Sequence, residues 1–212
     1  MSLPVLVLGG GGHAKVLIDA LLATSIVVAG IIDPDPLLTG ARVLGVPVLG
    51  GDAVVKEFPS GEVLLVNGLG SVALPLRRKQ LFEQFKEQGY RFATVIHPSA
   101  VISSYAEMGE GVQVMAGALI QAGCRIGINA IINTRASVDH DCIIGDHVHV
   151  APGATLSGGV VIGNISHIGT AATVVQGIRI GEASIVGAGA VVLKNVSAGT
   201  TVVGVPAKVI GK

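Results

Sequence analysis

The sequence predicts an α/β N-terminal domain over residues 1–95, a small Rossmann-like βαβ unit, followed by a left-handed parallel β-helix over residues 96–212. Three observations carry this. A glycine-rich loop follows an apolar run at the N-terminus. Six-residue repeats run in unbroken register from Ala100. The composition is also unusual: half of the 212 residues are hydrophobic, yet only 3% are aromatic and none is Trp. An interior of Val, Ile, Leu and Ala suits many thin, repeated layers better than one aromatic-rich centre.

Residues 4–12, PVLVLGGGG, read as a buried strand running into glycine. An amphipathic stretch from about His13 to Leu22 follows, then a second apolar strand from Ile26 to Ile32 ending at Asp33. This is a βαβ opening. Pro34 and Pro36 break the chain into a loop. A third strand, Val63 to Val66, ends at Asn67-Gly68-Leu69-Gly70. A helix over roughly 75–88 places Leu81, Phe82 and Phe85 on one face, with Gly89 beyond its end. A last short strand over about 91–95 leads to Ile96-His97-Pro98.

From Ala100 to Asn195 the chain divides into sixteen hexads without an insertion. The third position is always Ile, Val, Leu or Met, and the first is small or Val except at Ile178. Glycine at 109, 127, 145, 163 and 181 adds a period of 18, so three hexads make one coil and the same corner recurs. Coils of such a prism stack about 4.8 Å apart, and third positions form aliphatic columns inside. Cys124 and Cys142, also 18 apart and both at first positions, read as stacked interior fillers rather than a redox pair.

Fourteen basic residues balance fourteen acidic ones, so nothing points to a polyanionic partner such as nucleic acid. Mean hydropathy is +0.71, yet the uncharged stretch from Ala20 to Ile32 is short of the roughly 20 residues of a membrane span. No basic segment precedes an apolar run as in a secretory signal, so the expected compartment is the cytoplasm.

The densest polar patch on the repeats is Asn133 to Cys142, followed by His147 and His149. Outward positions of a β-helix carry no interior packing duty, so this concentration invites a functional reading. His140 lies between Asp139 and Asp141. A carboxylate on one imidazole nitrogen sets the tautomer and raises basicity, leaving the other nitrogen to take a proton. An isolated His–Asp pair on a surface is otherwise a structural feature. In the N-terminal loop, Gly9, Gly11 and Ala14 satisfy G-x-G-x-x-A after a strand. Some 95 residues are too few for two mononucleotide halves, but one half still aims amides and a helix N-terminus at a diphosphate.

These segments together carry a resemblance. Gly9-Gly10-Gly11-Gly12-His13-Ala14-Lys15-Val16, Ile32-Asp33, Ile96-His97-Pro98-Ser99-Ala100, Ile132-Asn133-Thr134, Val138-Asp139-His140-Asp141-Cys142 and Gly204-Val205-Pro206-Ala207-Lys208 resemble the bacterial sugar O-/N-acyltransferase family. The resemblance covers essentially the whole chain. It implies an acetyl-CoA-dependent enzyme of surface-glycan biosynthesis, N-acetylating a nucleotide-linked 4-amino sugar, with no metal. It implies a homotrimer with sites between neighbouring prisms. His140 would be the general base and Asp141 the carboxylate that strengthens it. Gly11, Gly12, His13, Asp33, Asp35, Gly68 and Asn133 would bind the nucleotide-sugar, with Asn133 and His149 near the transferred acetyl and the sugar's acceptor group. Gly158, Thr170 and Ala188, with His149, would line the acetyl-CoA site. Lys194 and Lys208 are either CoA-phosphate partners or solvated surface lysines.

Other readings remain open at this level. Acetylation of a hydroxyl, as on sialic acid, needs the same base and cosubstrate. A γ-carbonic-anhydrase-like metal site is suggested by His149 and His167, 18 apart at equivalent hexad positions, with His140 and His147 nearby. A non-catalytic prism would retain the repeats without the chemistry. Sugar nucleotidyltransferases also end in such prisms, but their catalytic domain is far longer than 95 residues.

Overall fold

A computed structural model describes residues 3–24 and 26–210 and shows an α/β unit joined to a stack of parallel hexapeptide coils. The N-terminal unit comprises β1 (Val5–Leu8), α1 (Gly12–Leu22), β2 (Val28–Ile32), β3 (Arg42–Val43), β4 (Val46–Gly50), β5 (Leu64–Asn67) and α2 (Leu76–Glu87). The sheet order is β3-β4-β2-β1-β5. All neighbours are parallel except the β3–β4 hairpin. β1 lies between β2 and β5 and buries all four of its residues, as a parallel strand covered on both faces should. Its alternation divides the unit in two. Val5 and Val7 pack with Leu17, Ile18 and Leu21 of α1, while Leu6 and Leu8 pack with Phe82 and Phe85 of α2.

Three expectations are corrected here. The first strand stops at Leu8, because Gly9 at φ +98° turns the chain toward the helix. The segment after Pro36 is not all loop: β4 pairs with β2, burying Val46 and Val48. Its frequent Pro and Gly residues conceal that strand in the sequence. The strand expected over 91–95 reduces to a bridge between Phe92 and Leu65, and Val95–Ile96 instead joins the repeats by pairing with Gln113–Val114.

In the repeats each hexad contributes a two-residue strand at its second and third positions, and strands 18 residues apart stack in parallel. The prism has three faces. The first runs through Val101–Ile102, Leu119–Ile120 and Ser137–Val138, and the second through Glu107–Met108, Arg125–Ile126 and Ile143–Ile144. The third runs through Gln113–Val114, Ile131–Ile132, His149–Val150, His167–Ile168 and Ile185–Val186. Third positions fill the interior as predicted, with Cys124 and Cys142 buried beside them as free thiols donating to the carbonyls of Asp139 and Ser157. Each fully buried aliphatic side chain there contributes about 1.5–3 kcal/mol.

Two kinds of corner explain the glycines. From Gly111 to Gly189 the sixth position of every hexad has positive φ, including Asn129, Asp141 and His147. Gly, Asn and Asp tolerate that conformation best. The recurrent Gly109, Gly127, Gly145 and Gly163 have another cause: a Cβ there would meet the backbone of the next coil.

The α/β unit sits against the third face. Gln113, Ile131, His149 and His167 point outward from that face yet are buried. Met115 joins the α1 cluster, Ile128 packs beside the α2 cluster, and Phe82 meets His147 edge-on. Freedom from packing duty therefore fails on this face. Among the described residues no helix is long and apolar enough to cross a membrane.

Candidate active site

The polar patch that is continuous in sequence is divided by the prism among three corners. Asn133 follows the strand Ile131–Ile132 and turns from the third face to the first. His140 and Asp141 follow Ser137–Val138 and turn from the first face to the second. His147 lies on the remaining corner, where the Asn129 amide donates to its Nδ1 at 2.9 Å and Phe82 covers it. Within one chain, then, Asn133 and His149 come together and His140 stands at the other end of a face.

On the His140 corner the imidazole Nδ1 is 2.8 Å from Asp141 Oδ2. The ionised carboxylate only accepts, so Nδ1 carries the proton and Nε2 is left as the free base. Hydrogen bonding to Asp141, reinforced by the charge of Asp139, raises the imidazole pKa from its ordinary 6.5. The left-handed backbone at Asp141 (φ 59°) is the regular sixth-position geometry of the repeat. Glycines on the adjoining coils make room. A Cβ at Gly158 would strike the His140 ring, and one at Gly123 would strike the Asp141 carboxylate.

At the other corner a groove of ≈ 790 Å³ runs between the α/β unit and the third face, lined by His13, Ser71, Asn133, His149, Thr170 and Ala188, among others. Asn133 Oδ1 accepts the Thr134 N–H at 2.8 Å, so its amide faces His149 Nε2 at 3.0 Å. Nε2 must accept, which leaves the proton on Nδ1, 2.9 Å from Ser71 Oγ. Burial, then the neighbouring His167, His13 and Arg78, depresses the His149 pKa to about 2, so it is neutral. His13 is fixed likewise. Gln113 donates to the Asn67 carbonyl at 2.8 Å and turns its own oxygen to His13 Nε2 at 2.8 Å. Burial and the Arg78 charge lower the His13 pKa to about 4.

Beneath the groove lies Arg78, fully buried. It donates to the carbonyls of Asn67 and Leu69, each at 2.8 Å, and of Asn129 at 3.2 Å. This ties the loop that carries Gly70 and Ser71 to the prism. Burial lowers its pKa to about 9, still protonated at neutral pH.

A second cavity of ≈ 400 Å³ is lined by Gly11, Gly12, His13, Asp33, Gly68 and Arg77, among others. Gly12, His13 and Gly70 border both cavities, which thus meet at the start of α1. A Cβ at Gly11 or Gly12 would meet nothing, so this loop is open; one at Gly68 would strike the carbonyls of Leu8 and Gly9, which accounts for glycine there. Asp33 is partly spent on the fold, accepting the Gly10 N–H at 2.6 Å and the Asp35 N–H at 2.9 Å. Asp35 caps the short turn Pro36–Leu38 and does not border the cavity. Gly158 lies on the His140 corner, apart from Thr170 and Ala188. Lys194 and Lys208 flank a separate cavity of ≈ 460 Å³ on the last coils.

The sequence marks the loop from Asn67 to Arg78 as one that shapes the sugar pocket, but gives no individual role to Ser71, Arg77 or Arg78 and no signal for Gln113 or Gly123. Arg77-Arg78 opening a helix after a glycine loop was an available signal. Gln113 and Ser71 had none, since their roles depend on how the two units meet. His149 and His167 do pair in register with ring centroids 5.0 Å apart. Among the described residues no group of three or more His, Cys, Asp or Glu could hold a metal ion.

Comparison with known proteins follows the same division. Residues 4–85 match the PglD N-terminal domain, and residues 123–158 match the bacterial transferase hexapeptide (six repeats). No curated protein sequence matches the chain. Among solved structures, PerB from Caulobacter crescentus in complex with CoA and GDP-perosamine is 42% identical, with 100% of each chain covered and a TM-score of 0.91. A histidine-to-asparagine variant of perosamine N-acetyltransferase from that organism, in complex with the same two ligands, is 41% identical over 100% of both chains, with a TM-score of 0.92. The acetyltransferase domain of PglB from Neisseria gonorrhoeae, in complex with acetyl coenzyme A, is 35% identical over 99% of this chain and 100% of that one, with a TM-score of 0.91. The chain belongs to the family of sugar acetyltransferases that join a PglD-type N-terminal domain to a hexapeptide-repeat prism.

Proposed function

We propose that the chain transfers the acetyl group of acetyl-CoA to the amino group of a nucleotide-linked 4-amino sugar. The observation that carries this reading is the continuity of the two cavities through Gly12, His13 and Gly70. One end offers a helix N-terminus and the Arg77 cation, which suit a diphosphate. The other offers neutral, oriented polar groups at Asn133 and His149. Its likeness to an enzyme crystallised with CoA and GDP-perosamine over the whole of both chains supports the same assignment.

In this reading Gly11, Gly12 and His13 hold the nucleotide-sugar, with Asp33 beside the loop, and acetyl-CoA lies along the corner of Thr170 and Ala188. The sugar amine attacks the thioester carbonyl. His140 Nε2 takes the proton that the nitrogen sheds, Asp141 stabilises the imidazolium, and the proton passes to the departing CoA sulfur. The C–N bond forms as the C–S bond breaks, with no metal required. Because His140 and the groove occupy different corners of one prism, the base over each groove comes from a neighbouring subunit of a homotrimer. The compartment proposed is the cytoplasm, where acetyl-CoA is available.

The test is thiol release from acetyl-CoA against UDP-, GDP- and dTDP-linked 4-amino sugars, with free sialic acid included. Release with an amino sugar, lost in His140→Ala, is the expected result. Release with sialic acid alone would move the chemistry to a hydroxyl. A shared site further predicts that two inactive variants, His140→Ala and Asn133→Ala, regain partial activity when co-assembled. No recovery would refute sharing.

A further inference from the structure

His167 is the one groove histidine left without a role above. It lies one coil beyond His149, in register with it, and 94% of its surface is covered, its relative exposure being 6%. His149 has partners on both nitrogens, Ser71 and Asn133. His167 does not: its Nδ1 is sealed from solvent with no hydrogen-bond partner among the described residues. The ring stands edge-on to His149 at 87° and borders the groove with Gly169 and Thr170. A polar side chain held unpaired beside a cavity is a cost to the free protein that a bound ligand can offset.

The tautomer follows from that burial. Burial keeps His167 neutral by lowering its pKa, so the ring carries one N–H. An orphaned N–H is a rarer arrangement in a protein interior than an orphaned acceptor. The bare lone pair therefore belongs on the sealed Nδ1, and the proton on Nε2, the ring nitrogen not sealed off, in a side chain that lines the groove.

Resting on the acetyltransferase reading, we propose that His167 is a CoA-binding residue whose Nε2–H donates to the pantetheine amide nearest the thioester. The spacing suits that amide. Coils are about 4.8 Å apart, and two methylenes carry the pantetheine chain from the sulfur to its first amide. A thioester at the level of His149, one coil beyond the strand that leads to Asn133, thus brings that amide to the level of His167. Backbone at Gly169 and Gly187 has no side chain to obstruct it.

The experiment compares His167→Phe, which keeps a ring against His149 but has no N–H, with His167→Gln, which returns a donor near the Nε2 position. Coenzyme A binding is measured by calorimetry on the whole protein, beside thermal unfolding without ligand. His167→Phe should weaken CoA by about tenfold, leave nucleotide-sugar affinity unchanged, and unfold at the same or a higher temperature than wild type. His167→Gln should recover part of the CoA affinity. Unchanged CoA affinity in His167→Phe would overturn the inference. So would a lowered unfolding temperature accompanying the weaker binding, since that marks a structural role. A loss confined to nucleotide-sugar binding would overturn it and assign His167 to the acceptor. Failure of the wild-type protein to bind CoA would instead sink the acetyltransferase reading itself.

Discussion

Gly158→Ala tests whether the repeat architecture holds the catalytic base in place. Gly158 occupies the fifth position of its hexad, one coil beyond His140, and its φ is not positive, so alanine suits its backbone. The added methyl would coincide with the His140 ring at Nε2 and Cε1. The side chain of His140 is 54% exposed, so the ring escapes by swinging outward, at about 0.5–1.5 kcal/mol for a strained rotamer. Against this stands about 0.4–1 kcal/mol of stabilisation from the stiffer unfolded chain. Net stability should therefore change by less than about 1 kcal/mol. The swing breaks the 2.8 Å contact with Asp141 and removes a base typically worth about 10²–10⁴ in rate. Thiol-release kinetics should show kcat reduced by at least about a hundredfold, with CoA affinity little changed. A double-mutant cycle makes the reasoning refutable: in a His140→Ala background the Gly158→Ala substitution should cost nothing further. Additive losses would mean that Gly158 acts on CoA directly and not through the imidazole.

Three further outcomes follow from the same geometry. The general base must be neutral to act and its pKa is raised, chiefly by Asp141, so activity should fall as pH drops through a value above 6.5; Asp141→Asn should move that acid limb to lower pH and reduce kcat, and an unmoved limb would detach Asp141 from the base. His13 is neutral over the working range, with its pKa near 4, so His13→Ala should raise KM for the nucleotide-sugar equally at pH 6 and pH 8; an unchanged KM would remove it from that site. Arg78→Met deletes three donors to buried carbonyls. Set against relief from burying a cation, the expected loss is on the order of 3 kcal/mol, read from the urea midpoint, and an unshifted midpoint would show that the loop is held by other contacts.

Much of the prism is written in one dimension. A hexad residue's place depends on its position in the repeat and on neighbours 18 residues away, so the aliphatic columns, the stacked Cys124 and Cys142 and the His149–His167 pairing were all predictable from spacing. His140 with Asp141 was equally legible, because adjacent residues on one corner need no distant partner to meet. Even the left-handed sixth position left a trace in its Gly, Asn and Asp content, although the fourth-position glycines proved to serve close stacking of the coils. The β4 strand was hidden because β2, and not its own composition, holds it in the sheet.

Tertiary structure alone decided what lies between the two units. Which outward column would be buried depends on where the α/β unit rests, and periodicity is the same for all three faces. The tautomers of His13 and His149 depend on Gln113, Ser71 and Asn133, two of which belong to a different unit from the histidine they meet. Arg78 looks like a surface helix residue in the sequence and becomes a buried tie only because Asn67, Leu69 and Asn129 converge on it. Those of the contacts that cross between the units join residues 51 to 100 apart with no common period, and it is packing between the units that selects them.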